Sequence, residues 1–209
     1  MSETFICGSM GGAPNRHIVK FINSHNEMFQ AAPKTMETPE GSYSYWEVIW
    51  DREIHSFKDF SNFIQYDNSK SLCIHVRYIS DMWGDLTPAE FSKMATEANV
   101  TKVIIATMPD DNTSLHFFEK MHANSLTTPY VFYESIDLLT ETNREYNDEI
   151  LPRLKEYASS YQFEYISINM IALLDGDDNE YNRLTEFFNL TPHVDFKERL
   201  ATVKYDFIG

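Results

Sequence analysis

Phe5-Ile6-Cys7-Gly8-Ser9-Met10-Gly11-Gly12-Ala13-Pro14 is the stretch that decides the fold class. Phe5-Ile6-Cys7 is a short apolar run of the kind that forms a buried parallel strand. Gly8, Gly11 and Gly12 are three of the chain's seven glycines, and they place a turn immediately after it. Pro14 suits the first turn of a helix, and Ile18 and Ile22, with Val19 and Phe21 beside them, supply its apolar stripe. Strand, glycine turn and helix together read as the first half of a βαβ unit.

The same alternation continues along the chain. Ser71-Leu72-Cys73-Ile74-His75-Val76-Arg77-Tyr78-Ile79 reads as a second buried strand, Lys102-Val103-Ile104-Ile105-Ala106-Thr107 as a third, and Tyr165-Ile166-Ser167-Ile168 as a fourth. Thr87-Pro88-Ala89-Glu90 carries a helix start, with Phe91, Met94 and Ala95 on its apolar face. Leu115, Phe118 and Met121 have helical spacing, as do Tyr146, Ile150, Leu154, Tyr157 and Tyr161, with Pro152 as a kink or restart. Asp175-Gly176-Asp177-Asp178 is a turn and cap before the apolar positions Tyr181, Leu184, Phe187 and Phe188. Residues 26–43, with Pro33, Pro39 and Gly41, read as a long irregular loop. Tyr45-Trp46-Glu47-Val48-Ile49-Trp50 fits a strand or a short helix, and Phe57, Phe60, Phe63 and Ile64 fit a core-facing helix. Residues 191–209 read as a tail packed on the body. The expected fold is α/β, a single domain over residues 1–209 with a mainly parallel sheet flanked by helices.

Composition narrows the function classes. The 209 residues carry a formal charge of -15, with 43% apolar and 14% aromatic residues. That is too apolar for a disordered acidic chain. It is too acidic for a general nucleic-acid binder or for adsorption to an anionic membrane. No run approaches the roughly 20 apolar residues of a membrane span. Cys7 and Cys73 sit in apolar runs and read as buried thiols of a reducing, cytoplasmic compartment. The charge is uneven. Residues 1–34 hold Arg16, Lys20 and Lys34 against Glu3 and Glu27, a net of +1, which leaves -16 on the remainder. A small anion is therefore best sought in the first 34 residues.

The glycine loop suits such an anion, because a helix N-terminus offers backbone N–H groups and a positive dipole end. Neither the Walker A spacing nor GxGxxG is present, and a plain tight turn is the competing reading. His25, His55, His116, His122 and His193 show no metal-ligand spacing, and no metal is expected. Asp175, Asp177 and Asp178 lack the register of a calcium loop. His75 and Arg77 lie on one face of their strand by alternation, at its carboxyl end.

Taken in order, several blocks resemble the P-loop sulfotransferase family. Phe5-Ile6-Cys7-Gly8 with its polar glycine loop, then Phe21-Ile22-Asn23-Ser24-His25, is similar to that family's first strand, loop and helix. Trp83-Gly84-Asp85-Leu86-Thr87-Pro88 resembles its WGDKTP-type segment. Thr107-Met108-Pro109-Asp110-Asp111, with Ser114, resembles its RxPxD 3′-phosphate loop. The stretch 163–174 followed by 179–190, closest at Glu186-Phe187-Phe188-Asn189-Leu190, resembles its ending. The departures are that the loop lacks Arg-Ser-Gly-Thr, Leu86 replaces a Lys, and Thr107 replaces an Arg.

The resemblance implies a P-loop nucleotide-hydrolase-like fold and transfer of a sulfuryl group from 3′-phosphoadenosine 5′-phosphosulfate to a hydroxyl or amine. It implies donor contacts from Gly8, Ser9, Met10, Gly11, Gly12, Asn15, Asp111 and Ser114. Arg16 would act as the cation, His17 as cation or base, and His75 and Arg77 would face the acceptor. The expected partners are the small-molecule nucleotide donor and an unknown acceptor, with no nucleic acid and no membrane. Two alternatives stand beside this reading. One is the same fold with lost catalytic positions, acting as a binding or interaction protein. The other is a different α/β enzyme handling a nucleotide or phosphosugar.

Overall fold

A computed structural model of the chain describes residues 4–8, 15–29, 35–38, 41–44, 69–76, 100–125, 135–160 and 163–208. Four strands, β1 (Thr4–Gly8), β4 (Leu72–Val76), β5 (Val100–Thr107) and β6 (Glu164–Asn169), form one sheet in the order β4-β1-β5-β6. Every neighbouring pair is parallel. These are the four strands expected from the apolar runs, and the α/β class holds. In β5, Val103, Ile104, Ile105 and Ala106 are buried in succession, so both faces of the strand are covered. Helices on both faces are what such a continuous run demands, and each buried Ile contributes on the order of 1.5–3 kcal/mol.

The first helix, α1 (Asn15–Ile22), buries Ile18, Val19, Phe21 and Ile22 and leaves Lys20 exposed. It packs on β1 and β4. After β5 comes α2 (Asn112–Ser125), which buries Phe117, Phe118 and Met121. Leu115, expected on the apolar face, is 39% exposed instead. The helical stretch that follows starts earlier than the aromatic spacing suggests. Ser135 caps α3 (Ile136–Glu145) through a bond from the Leu138 amide, and a π-helical turn (Tyr146–Ile150) leads into α4 (Leu151–Ser160). Pro152 is the second residue of α4. It has no N–H for the preceding turn, and the wider turn ahead of it re-routes the Leu151 amide to the Tyr146 carbonyl.

One expectation is corrected. Residues 26–43 are not wholly irregular. β2 (Thr35–Thr38) and β3 (Gly41–Ser44) pair antiparallel, with Thr38 opposite Gly41. Thr-Met-Glu-Thr and Gly-Ser-Tyr-Ser carry little apolar pattern, so a reading keyed to buried runs passes over them. The C-terminal stretch packs on the body as expected, and it adds a helix. After β6 come the short helix α5 (Met170–Leu174), α6 (Asp178–Phe188) and α7 (Phe196–Ile208). Leu200 of α7 is fully buried, and α7 packs against α1, α2 and α5. The segments 45–50, 57–64, 77–79 and 83–95, read above as elements or motifs, lie outside the described residues. Among the described residues, no helix is long and apolar enough to cross a membrane.

Candidate functional site

The chain leaves β1 toward β4 on one side and returns across it to β5 and β6 on the other. The strand order therefore reverses between β1 and β5. In open α/β sheets the crevice beyond the carboxyl ends at such a reversal is where ligands bind. Gly8, the last residue of β1, sits opposite Val76 of β4 and Ile105 of β5. His75 lies one position earlier, opposite Cys7. β5 runs on to Thr107, which pairs with Asn169 at the end of β6. The ends of β1, β4 and β5, each singled out in the sequence, thus meet at one edge of the sheet.

Individual residues divide as follows. Asn15, Arg16 and His17 form the first turn of α1. Ser9, Met10, Gly11, Gly12 and Arg77 lie outside the described residues. Asp111 begins α2: its Oδ1 accepts from the Thr113 amide at 2.8 Å and the Ser114 amide at 3.2 Å. Buried Ser114 donates its hydroxyl to the Pro109 carbonyl. Thr107 donates to the Ile168 carbonyl at 3.2 Å.

Sequence reasoning missed the groups that hold this loop. Asn147 donates to the Met108 carbonyl at 2.9 Å, and Asn143 donates to the Met108 and Pro109 carbonyls, each at 3.4 Å. Arg144 Nε reaches Asp110 Oδ2 at 3.3 Å. The i, i+4 spacing of the two asparagines hints at a shared face, but their target lies more than thirty residues away. At the neighbouring strand end, Asn169 Oδ1 caps α5 through the Ile171 and Ala172 amides. Glu180 accepts from the Asn169 amide at 3.2 Å, and from Arg183 at 2.6 Å. Arg183 also donates to the Ser167 carbonyl at 3.0 Å. The strand ends are therefore tied down by side chains from α3, the π-helical turn and α6, which makes a rigid edge.

A second concentration of polar groups involves Asn23-Ser24-His25, the block that carried part of the resemblance. It lies at the other end of β4. Asn23 bonds to Cys73, and residues 27 and 29 bond to Ser71, just before the strand. Ser24 donates to the Phe21 carbonyl at 2.7 Å, so it accepts from His193 Nε2 at 3.2 Å. His25 Nδ1 faces the Ile22 carbonyl at 2.9 Å, and therefore carries its proton there. Its Nε2 then accepts from the Tyr181 hydroxyl at 3.2 Å. The Tyr181 oxygen in turn accepts from the His193 amide at 2.6 Å.

Burial pushes His25 below the usual imidazole range. Burial, with the neighbouring His25 and Arg199, does the same to His193, while burial raises Tyr181. All three side chains of the Asn-Ser-His block are bonded within the fold. Among the described residues no three His, Cys, Asp or Glu side chains converge as a metal site requires. Compared with protein-family models, with curated proteins and with solved structures, the chain finds no match in any of the three.

Proposed function

We propose that the chain is a sulfotransferase-like enzyme that takes a nucleotide-borne phosphosulfate at the carboxyl edge of its sheet. One observation carries the reading. The strand that feeds the glycine loop and the strand that feeds the Met108-Pro109-Asp110-Asp111 loop are neighbours, and the strand order reverses between them. An extended dinucleotide-like donor needs two such loops side by side. The backbone amides of residues 8–12, which precede α1 in the sequence, would suit the sulfate-bearing end. Arg16 supplies a cation, and His17 a base for the acceptor's proton. His75 of the adjacent strand, and Arg77 two positions on in the sequence, are assigned to the acceptor, a hydroxyl or an amine.

The fit to the donor's 3′-phosphate is poorer. Ser114 spends its hydroxyl on Pro109, Asp111 spends a carboxylate oxygen on α2, and Arg144 is paired with Asp110. An incoming phosphate would meet two exposed carboxylates there. That observation favours a second reading, the same fold acting as a binding protein without group transfer.

Calorimetry with adenosine 3′,5′-bisphosphate tests the proposal. Binding is expected, and Arg16→Ala should weaken it by about 1–3 kcal/mol, as for a charge-assisted contact. No heat at millimolar ligand overturns the nucleotide-site reading. Binding without sulfuryl transfer to any tested alcohol or amine supports the second reading.

A further inference from the structure

The residues that join the end of α1 to the C-terminal region form one compact set. The rings of His25 and His193 stack with centroids 4.1 Å apart and planes 30° apart. Tyr181 of α6 bridges them, donating to His25 Nε2 and accepting from the His193 amide. Ser24 holds the other side of His193. Glu27 Oε1 accepts from both the amide and the hydroxyl of Thr191, the former at 3.1 Å. Phe21 closes the set, meeting His25 in a T-shaped contact with ring centroids 5.4 Å apart. Beyond it, Phe196 lies flat on Tyr181 at 4.0 Å and begins α7.

This bonding admits only neutral imidazoles without loss. A proton added at His25 Nε2 occupies the lone pair that receives the Tyr181 hydroxyl, and Tyr181 is left with a donor and no acceptor. His193 donates through Nε2, so it gains its proton at Nδ1. Two charged rings would then face each other 4.1 Å apart in a partly desolvated site. The surrounding charges do not cancel this. Arg199, from α7, adds positive charge, and its own partner Asp195 lies within the same segment at 2.8 Å. Glu27, on the segment after α1, favours protonation of His25, but burial outweighs it; at His193 burial, His25 and Arg199 outweigh Asp195 and Glu27. Tyr181 from α6 is neutral.

We infer that His25 and His193 form a pH-sensitive latch that holds residues 191–195 against the end of α1 at neutral pH and releases them in mild acid. The sign follows from linkage. Both rings bind protons less readily in the folded chain, so the unfolded or opened segment takes up more protons as pH falls. The closed state is fully favoured above the ordinary histidine value of 6.5 and loses ground below it. Glu27 stays ionised through that window, because its own titration lies at or below the usual carboxylate range.

Hydrogen exchange at the Thr191 and His193 amides, corrected for the intrinsic pH dependence, reads the latch in the full chain. Their protection should fall by about tenfold between pH 7.5 and 5.0, while β5 amides keep theirs. The double variant His25→Gln, His193→Gln should show no such step. Protection independent of pH in the wild type overturns the latch, as does a step that survives in the variant. If the variant does not fold, NMR titration of the two wild-type rings decides: protonation of both below 6.5 supports the latch, and protonation of either at or above it overturns it.

Discussion

Asn23 and Cys73, fifty residues apart, exchange two hydrogen bonds: Asn23 Nδ2 donates to the Cys73 carbonyl and the Cys73 amide donates to Asn23 Oδ1, each at 2.9 Å. A side-chain amide here takes the place of a neighbouring strand. Adjacent residues of a strand direct their backbone groups to opposite sides, so those of Cys73 point away from β1, whose bonds go to the residues on either side of it. The backbone of residues 27–29 performs the same service for Ser71. Together they cover part of the outer edge of β4 that would otherwise invite pairing with another chain.

Replacing Asn23 by Ala strands a buried donor and a buried acceptor at Cys73. The expected loss is about 1–3 kcal/mol, measured by urea denaturation. Asn23→Asp should also destabilise, because a carboxylate can accept from the amide but faces the carbonyl oxygen with no proton to give. Wild-type stability in both variants would show that the edge finds other partners.

Gly176 and Asn189 end α5 and α6 in the left-handed region, at φ 76° and 54°. Each closes the same cap. The Asp177 amide reaches back to the Ala172 carbonyl at 3.0 Å, and the Leu190 amide to the Thr185 carbonyl at 2.9 Å. A Cβ at Gly176 would also stand 3.3 Å from Lys197 Cγ, which α7 packs there. Gly176→Ala should lower stability by about 1–2 kcal/mol. Asn189→Gly should be neutral or stabilise by up to about 1 kcal/mol. Thermal unfolding of the two variants tests the pair, and a stabilised Gly176→Ala would contradict the cap.

Glu180 joins the end of β6 to α6 through the Asn169 amide and the Arg183 guanidinium. Glu180→Ala should cost about 1–3 kcal/mol and raise exchange at the Asn169 amide. Glu180→Gln retains a neutral acceptor and should lose less. Equal losses in the two variants would show that the charge, not the hydrogen bond to Asn169, holds the strand end.

Glu27 governs stability at lower pH than the histidine latch. Burial pushes its carboxyl upward, but the hydroxyl and amide of Thr191 outweigh that and hold it below the usual value of 4.5. A carboxyl depressed in the fold contributes stability that is present above its unfolded pKa. That stability is lost as pH falls through the folded one. Thr191→Val removes the hydroxyl donor, so the fall in Tm between pH 5 and pH 3 should be shallower than in the wild type. Superimposable acid limbs would remove Glu27 and Thr191 from the acid response.

Much of the scaffold was legible along the chain. The β-branched run at residues 102–107 is a strand because nothing else buries so many consecutive apolar side chains. Asp177 caps α6 within three residues of its target, the Glu180 amide, at 2.9 Å. The glycines after Cys7 put the end of β1 at Gly8, where the structure has it. Less was legible where polar residues dominate. The β2–β3 pair has no apolar alternation to betray it. Asp177 and Glu180 have the spacing of a capping box, yet Glu180 turns instead to an amide eleven residues away.

What the sequence determined by itself is local: which segments become strands and helices, where glycine and capping residues end them, and that positive charge gathers near the first loop. These depend on backbone sterics, apolar periodicity and hydrogen bonds between near neighbours. Only the tertiary structure decided that β1 lies between β4 and β5, so that their carboxyl ends share one edge. Only it paired Asn23 with Cys73, and stacked His25 on His193. Those partners are brought together by chain closure over fifty residues or more. Their hydrogen bonds form because burial leaves each polar group no water to choose instead.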